Sequence, residues 1–269
     1  MTTQTKTVLF IHGLFMSANS WEHWVTYFED KGYNATAVPW PGRDKSAEQL
    51  RAEHPNPAVG EQTFSAVLDH HEEVIRGLDE PPIIIGHSLG GLIAQIMLNR
   101  GLGAAGIAID SAPPMGVIST RWSFIKSAWP LLNPFNLPSK PYMMPFSGFQ
   151  YSFVNGLPLE AQKRAYEQVV PESIRLARGS LTPAARIDFK KAHAPLLMIA
   201  GENDHIIPAS LNKANFERYK MSKASVTDFK EFAGRNHFMV GAEGWEEIAD
   251  YILNWLPQQQ IGGLPENKV

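Results

Sequence analysis

The chain has 269 residues, 24 Lys and Arg against 27 Asp and Glu, a formal charge of −3 and 44% hydrophobic residues. This composition supplies a sizeable core and excludes a wholly disordered chain, and the length favours one domain or one domain with an insertion. The near-neutral charge without basic runs argues against a nucleic-acid-binding protein, and the absence of cysteine excludes disulfides, thiolate metal sites and a cysteine nucleophile.

The start of the chain carries no pattern typical of a targeting segment. The apolar run at residues 8–11 is broken at once by His12 and Gly13, which does not fit the hydrophobic region of a signal peptide. No stretch approaches the roughly 20 apolar residues that a membrane-spanning helix needs. We therefore expect a soluble, cytoplasmic protein without a membrane span.

Short apolar, β-branched runs alternate with longer helical patterns, which is typical of βαβ units that build a parallel sheet. Most runs are continuously apolar, as expected for strands covered on both faces. The predicted strands are residues 8–12, 35–39, 82–86, 106–109, 196–200 and 226–232. This pattern predicts an α/β fold with a mostly parallel sheet of about six strands and helices on both faces.

Helices are predicted where apolar side chains recur every three or four positions. Such a face runs from Phe64 to Leu78 with charged residues opposite, residues 92–100 continue the pattern after the third strand, and a last helix begins near Trp245. Pro257 should end that helix. The tail at 258–269 contains two Gly and a Pro and is predicted to be disordered.

The alternation stops between residues 113 and 191. This stretch has no clear strand and is rich in Pro, Trp, Phe and Met. A connection of this length inside a compact domain is usually functional or an insertion with its own structure. We predict a helical cap at 113–191 over a core formed by residues 1–112 and 192–257.

The motif G-H-S-L-G-G at residues 86–91 lies between a predicted strand and a predicted helix. In that context G-x-S-x-G is typical of a nucleophile elbow, because small residues permit a sharp turn and a close passage of the helix. The oxygen of Ser88 would then project at a helix N-terminus, where backbone N–H groups meet developing negative charge. The alternative is a glycine-rich turn in which Ser88 only caps the helix.

A serine nucleophile needs a general base, and the base needs an orienting carboxylate. His237 follows the last predicted strand, and Asp204 follows the strand before it. Loops at the carboxyl ends of parallel strands gather at one sheet edge, so Ser88, Asp204 and His237 are predicted to converge there. Asp110 is a competing carboxylate and Glu202 a weaker one, whereas ordinary loop and turn roles are the alternatives for His237 and Asp204.

Gly13 lets the backbone after the first strand run close beneath this site. The N–H groups of Leu14 and Leu89 are therefore the predicted oxyanion hole, while His12 is expected to be a structural hydrogen-bonder. The adjacent His70 and His71 point apart on a helix, and neither a metal-ligand spacing, a P-loop nor a G-x-G-x-x-G motif is present. We expect no metal, nucleotide or other cofactor.

Four features together resemble the α/β-hydrolase superfamily over residues 7 to about 256: His12-Gly13 after the first strand, the motif at 86–91, Asp204, and His237, in the order Ser, Asp, His. The usual fold has two strands before the His-Gly strand, and only seven residues precede Val8, so those strands are expected to be absent. This shortening is similar to the compact plant-type esterase and hydroxynitrile-lyase branch. The cap matches the family only in its position after the sixth family strand.

The resemblance implies a serine hydrolase that cleaves small-molecule esters through an acyl-enzyme. The Trp, Phe and Met residues of the predicted cap favour small to medium apolar or aromatic acyl groups. The candidate substrate contacts are Phe15, Trp122, Trp129, Met143 and Phe238, for each of which packing is the alternative role. C–C bond hydrolysis, thioester hydrolysis, perhydrolysis and hydroxynitrile lysis use the same triad and stay open. A ligand-binding, receptor-like protein is the non-enzymatic alternative, and the sequence predicts no oligomeric state.

Overall fold

The computed structural model describes residues 5–222 and 224–259, in which the apolar runs pair into a parallel sheet. The strands among these residues are β1 (Thr7–Ile11), β2 (Asn34–Val38), β3 (Ile83–His87), β4 (Ala105–Ile109), β5 (Pro141–Tyr142), β6 (Glu172–Ser173), β7 (Leu196–Gly201) and β8 (Thr227–Phe232). The main sheet has the order β2-β1-β3-β4-β7-β8, and all its neighbours are parallel. The predicted six-stranded sheet is therefore confirmed, with each strand end within one residue of its predicted position.

The same residues contain the helices α1 (Glu22–Asp30), α2 (Ala47–Ala52), α3 (Pro57–Gly60), α4 (Phe64–Arg76), α5 (Leu89–Asn99), α6 (Trp122–Leu132), α7 (Phe146–Ser152), α8 (Leu159–Glu167), α9 (Ile174–Gly179), α10 (Ala209–Tyr219) and α11 (Glu246–Trp255). Helix α11 ends two residues before Pro257, and a 3-10 turn follows it at Leu256–Gln258. Of the tail predicted to be disordered, residues 260–269 lie outside the described residues.

Helices cover both faces of the sheet, as predicted. Alternate side chains of each strand point to opposite faces, so the sheet divides two apolar clusters. One cluster joins Leu9, Ile84 and Met198 to α4, α5 and α10, and the other joins Phe10 and Ile85 to α1 and α11. Burial on both faces accounts for the continuously apolar strands.

The strand order reverses at β1, which has β2 on one side and β3 on the other. In open parallel sheets ligands bind in the crevice at the carboxyl ends of the strands next to such a reversal. The segments that leave these two ends contain Gly13 and Ser88. The topology therefore places the predicted nucleophile where an α/β sheet favours a binding site.

Between β4 and β7 lies the segment at residues 113–191, called the insertion below. It holds α6 to α9 and the antiparallel pair of β5 and β6. Two-residue strands show no hydrophobic alternation, which is why the sequence predicts no strand there. The insertion has its own apolar cluster, in which Leu131 and Phe149 join Phe15 and Met16 from the loop after β1.

None of the helices between residues 5 and 259, residue 223 aside, combines the length and the apolar character that a membrane-spanning segment needs.

Candidate active site

Ser88 occupies the sharp turn between β3 and α5. Its backbone has φ 56° and ψ −119°, a region that residues with a side chain rarely adopt and that surrounding structure must hold in place. The Ser88 N–H donates to the Ile109 carbonyl at 2.9 Å, and its carbonyl accepts from Ala112 N–H at 2.9 Å. The last residue of β4 and the segment that follows it therefore hold Ser88 through both its N–H and its carbonyl.

The glycines of the motif are required by close backbone contacts. A Cβ at Gly86 would lie 2.0 Å from the Gly90 carbonyl oxygen, and one at Gly90 would lie 2.1 Å from the Ile11 carbonyl oxygen. Both distances are far below any van der Waals contact. The predicted reason for the small residues, a helix passing close to the strands, matches this packing.

The loop after β1 runs directly against Ser88. A Cβ at Gly13 would lie 2.6 Å from the Ser88 Cβ, so a larger residue there would displace the serine. Leu14 follows Gly13, and Leu89 is the first residue of α5. In the described part of the chain neither the Leu14 nor the Leu89 N–H donates a hydrogen bond, so both are free to bind a substrate oxygen.

His237 and Asp204 form a buried pair next to this turn. His237 Nδ1 donates to Asp204 Oδ2 at 2.6 Å, and neither side chain is exposed. Asp204 Oδ1 accepts from the Ile206 and Ile207 N–H groups at 2.7 and 2.8 Å. The aspartate therefore fixes the ring orientation and tautomer of His237 while the start of the following segment fixes the aspartate.

Neighbouring strands bring the two loops together. The Asn203 N–H after β7 donates to the Arg235 carbonyl after β8 at 2.8 Å. Glu202, the weaker carboxylate candidate, is exposed and accepts from the Gly234 N–H at 2.8 Å, so it braces the His237 loop rather than the imidazole. The pairing of Asp204 with His237 follows from this strand adjacency.

The reactive nitrogen of His237 is unoccupied. His237 Nε2 is buried and has no hydrogen-bond partner among the described residues, and Ser88 Oγ makes no hydrogen bond within them either. Phe153 borders both groups, since it lines the cavity containing Ser88 and its ring centroid is 5.0 Å from that of His237. A nucleophile–base hydrogen bond often forms only when substrate is bound.

Burial lowers the pKa of His237 to about 3, so the imidazole is neutral at physiological pH. A neutral ring with Nδ1–H held by a carboxylate presents the lone pair of Nε2 as a base. Burial likewise lowers the pKa of His12 to about 3, and His12 Nδ1–H donates to the Gly13 carbonyl at 2.9 Å. This contact matches the structural role predicted for His12.

Asp110, the competing carboxylate, lies at the end of β4 and is fully buried. Its Oδ1 accepts from the Gly201 N–H at 2.7 Å. Burial and the charge of the neighbouring Asp204 raise the pKa of Asp110 well above its usual range. Burial raises the pKa of Asp204 as well, but two backbone N–H groups stabilise its ionised form, so we assign the negative charge to Asp204 and the proton to Asp110.

His87, Asp110 and His237 bring potential metal-ligand atoms within 4.8 Å of one another. Two of the four ring nitrogens are already engaged, because His87 Nε2–H donates to the His237 carbonyl at 2.8 Å and His237 Nδ1–H donates to Asp204. The cluster is thus organised as a hydrogen-bond network around the imidazole of His237.

An apolar cavity of about 100 Å³ opens at Ser88. Its lining comes from the loop after β1, the elbow, the insertion and the segment after Asp204, and includes Leu14, Phe15, Leu89, Phe124, Ala128, Leu131, Met144, Phe153, Ile206 and Ile207. A wider surface groove lined by Glu22, Glu160 and Glu243 does not include Ser88. The apolar cavity is therefore the one that a reacting group would occupy.

The predicted substrate contacts are distributed unevenly. Phe15 lines the cavity, whereas Trp122 and Trp129 are 72% and 54% exposed and do not. On α6 these two tryptophans lie on the outer face, while Phe124 and Leu131 lie on the inner face. Trp122 and Trp129, predicted as pocket residues, therefore do not line this cavity, because the phase of the helix places Phe124 and Leu131 there instead.

Met143 and Phe238 are also absent from the cavity lining. Met143 packs partly buried against the apolar cluster of the insertion, and its neighbour Met144 lines the cavity instead. Phe238 faces the wider surface groove and packs against Phe149 at a centroid distance of 6.4 Å. Both side chains pack against apolar neighbours, and their contact with substrate stays a prediction.

The chain is similar to known proteins over most of its length. A family model described as "Alpha/beta hydrolase family" matches residues 8–251. A monoacylglycerol lipase from Paleococcus ferrophilus is 20% identical with a TM-score of 0.65, covering 95% of this chain and 96% of that chain. Polyneuridine aldehyde esterase is 17% identical with a TM-score of 0.68 over 94% and 99%, and tomato methylketone synthase I, complexed with 2-tridecanone, is 19% identical with a TM-score of 0.67 over 95% and 99%.

Proposed function

Because the chain belongs to the alpha/beta hydrolase family, we propose that it is a serine hydrolase that cleaves carboxylic esters through an acyl-enzyme. The observation that carries the proposal is the combination of Ser88 in a strained elbow at an apolar cavity with a buried His237 whose Nε2 is free and whose Nδ1 binds Asp204. Nucleophile, base and orienting carboxylate are the parts that acyl transfer to water requires.

The proposed reaction uses only protein groups and water. Ser88 Oγ attacks the ester carbonyl while His237 Nε2 takes its proton, and the Leu14 and Leu89 N–H groups stabilise the oxyanion. Collapse of the tetrahedral intermediate breaks the ester C–O bond, and the alcohol leaves with the proton from His237. Water then attacks the acyl-enzyme, giving its proton to His237, and the acid leaves as Ser88 regains a proton.

Asp204 supports both steps through His237. Its contact with Nδ1–H keeps the lone pair on Nε2 and stabilises the imidazolium that forms during each proton transfer. Because the imidazole is buried, the charged ring becomes favourable when Asp204 at Nδ1 and the nearby negative oxyanion stabilise it together. The His237 ring is thus neutral in the resting enzyme and becomes charged when it takes a proton during the reaction.

The cavity supports a small to medium apolar acyl group. Its lining is mainly aliphatic and aromatic, with Ser88, Ser127 and Ser180 as its hydroxyl-bearing residues. Since each methylene in such a pocket contributes about 1 kcal/mol, we expect a broad chain-length preference. We also propose that the insertion acts as the cap, because Phe124, Leu131 and Met144 supply part of the wall of the cavity that contains Ser88.

The test is intact-mass spectrometry of the protein after brief exposure to p-nitrophenyl esters with acyl chains of two to twelve carbons, followed by turnover assays. We expect a transient mass increase equal to one acyl group, on Ser88 by peptide mapping, with the highest kcat/KM for medium chains. Parallel exposure to thioesters separates the alternative thioesterase activity. Fluorophosphonate labelling without turnover of any ester would favour a ligand-binding protein and contradict the proposal.

The pH dependence of kcat/KM reports the base of the free enzyme. Because burial lowers the pKa of His237, the neutral, competent ring persists as the pH falls below 6.5, and the half-loss of kcat/KM on acidification should lie below pH 6.5. Burial also lowers the pKa values of His12 and His71, so protons bind the unfolded chain preferentially below pH 6.5 and destabilise the fold there. Circular dichroism at each pH separates unfolding from titration, and a half-loss of kcat/KM near pH 6.5 in folded protein would contradict this assignment.

A further inference from the structure

Arg43 and Glu172 form an ion pair that is almost completely buried. Arg43 Nη2 contacts Glu172 Oε1, and the side chains are 1% and 0% exposed. Arg43 belongs to the segment after β2, and Glu172 belongs to β6 of the insertion. Two charges removed from water need precise partners, and this pair joins the insertion to the segment after β2 at a buried position.

Glu172 also holds the loop that contains the proposed oxyanion donor. Its Oε2 accepts from the Phe15 N–H at 3.0 Å, and its Oε1 accepts from the Ser173 N–H at 2.7 Å. Phe15 directly follows Leu14. The peptide unit between Leu14 and Phe15 is therefore oriented by a carboxylate that the insertion carries.

Phe15 needs such support because its backbone is strained. Its φ is 65°, in the left-handed region that a phenylalanine rarely adopts. The Phe15 carbonyl accepts from the Val170 N–H at 2.9 Å, so the insertion binds this residue through both its N–H and its carbonyl. Relaxation of Phe15 would rotate the backbone that presents the Leu14 N–H.

The arginine holds the carboxylate from the core side. Arg43 Nε donates to Gln62 Oε1 at 3.1 Å, and its guanidinium lies 5.4 Å from the Trp40 ring centroid. Trp40 stacks on His12 at 4.3 Å, and His12 Nδ1–H donates to the Gly13 carbonyl. The same network therefore contacts the loop after β1 on both sides of Leu14.

We infer that Glu172, oriented by Arg43, is a positioning residue that sets the oxyanion hole, so that seating of the insertion and alignment of the Leu14 N–H are coupled. This inference rests on the proposed function. It assigns a role to a carboxylate that does not touch the substrate, since Glu172 is not among the residues that line the cavity.

The first test is Glu172→Gln. We expect kcat for a p-nitrophenyl ester to fall about 10-fold to 100-fold, a part of the loss typical of removing an oxyanion donor, with KM changed less than about twofold. The inhibition constant of an alkyl trifluoromethyl ketone, which forms a tetrahedral adduct on serine, should rise by the same factor. Glu61→Gln is the matched control, because the Glu61–Arg175 pair also joins the core to the insertion but is exposed and does not contact Phe15.

A second variant separates alignment from stability. Glu172→Gln leaves the Arg43 guanidinium buried without a carboxylate, whereas the Arg43→Met, Glu172→Gln double variant removes both charges. We expect the double variant to regain thermal stability while the loss in kcat persists. Recovery of kcat together with stability, or equal losses in Glu61→Gln, would overturn the inference.

A third measurement does not depend on activity. Amide hydrogen exchange of the peptide spanning Leu14 and Phe15 should accelerate in Glu172→Gln and stay unchanged in Glu61→Gln. Unchanged exchange in Glu172→Gln would overturn the positioning role. Absence of ester turnover in the wild-type chain, with normal exchange behaviour, would instead refute the proposed function.

Discussion

Replacing Ser88 with alanine should lower kcat for ester hydrolysis by at least about 10⁴-fold, because removal of the nucleophile leaves only binding and the oxyanion donors. The substitution deletes one oxygen that makes no hydrogen bond within the described residues, so the thermal midpoint should change little. Steady-state hydrolysis of a p-nitrophenyl ester with a medium acyl chain measures the loss, and thermal unfolding checks the fold.

A matched control is Ser111→Ala. Ser111 is 1% exposed and its Oγ accepts from Gln95 Nε2 at 2.6 Å, so this variant should lose stability and keep turnover of the same order. Ser88→Ala should also fail to bind a fluorophosphonate covalently. Full activity of Ser88→Ala, or covalent labelling at another residue in it, would refute Ser88 as the nucleophile.

The parts of the fold that the sequence predicted are those determined by local chemistry. Strands such as Ile83–His87 are buried on both faces, and burial on both faces favours a continuous run of apolar residues. The elbow was predictable because Gly86 and Gly90 have no room for a Cβ, a constraint that appears directly as residue identity. Asp204 and His237 follow adjacent strands, and parallel topology alone brings their loops to one edge.

The phase of helix α6 was not predictable from composition. Tryptophans suggest an apolar pocket, yet Trp122 and Trp129 lie on the outer face of α6, seven residues apart and therefore on the same side. The inner face consists of Phe124, Ala128 and Leu131, which recur at the same helical spacing. Periodicity offers two faces, and only the tertiary packing decides which one meets the cavity.

The ion pair of Arg43 and Glu172 left no signal in the sequence. The two residues are 129 positions apart, and each stands in an unremarkable local context. When only the sequence is known, charged residues such as Arg and Glu are normally assigned to the surface. Their pairing depends on how the insertion returns over the sheet, which is a long-range property that neither propensity nor motif encodes.

Exchanging each of the two buried aspartates for asparagine should assign the orienting carboxylate. Asp204→Asn should lower kcat/KM by about 10⁴-fold, because the amide can present a donor to His237 Nδ1 and favour the tautomer that removes the base from Nε2. The asparagine Oδ1 can still accept from the Ile206 and Ile207 N–H groups, so the loop should stay folded.

Asp110→Asn should lower kcat/KM by no more than about tenfold. Burial and the charge of Asp204 raise the pKa of Asp110 and favour its neutral form, which asparagine resembles in charge and nearly in shape. Its Oδ1 can keep the bond from the Gly201 N–H. The two variants are compared by kcat/KM at pH 7, and thermal unfolding checks that each is folded. Loss of kcat/KM in Asp110→Asn with nearly unchanged kcat/KM in Asp204→Asn would transfer the orienting role to Asp110.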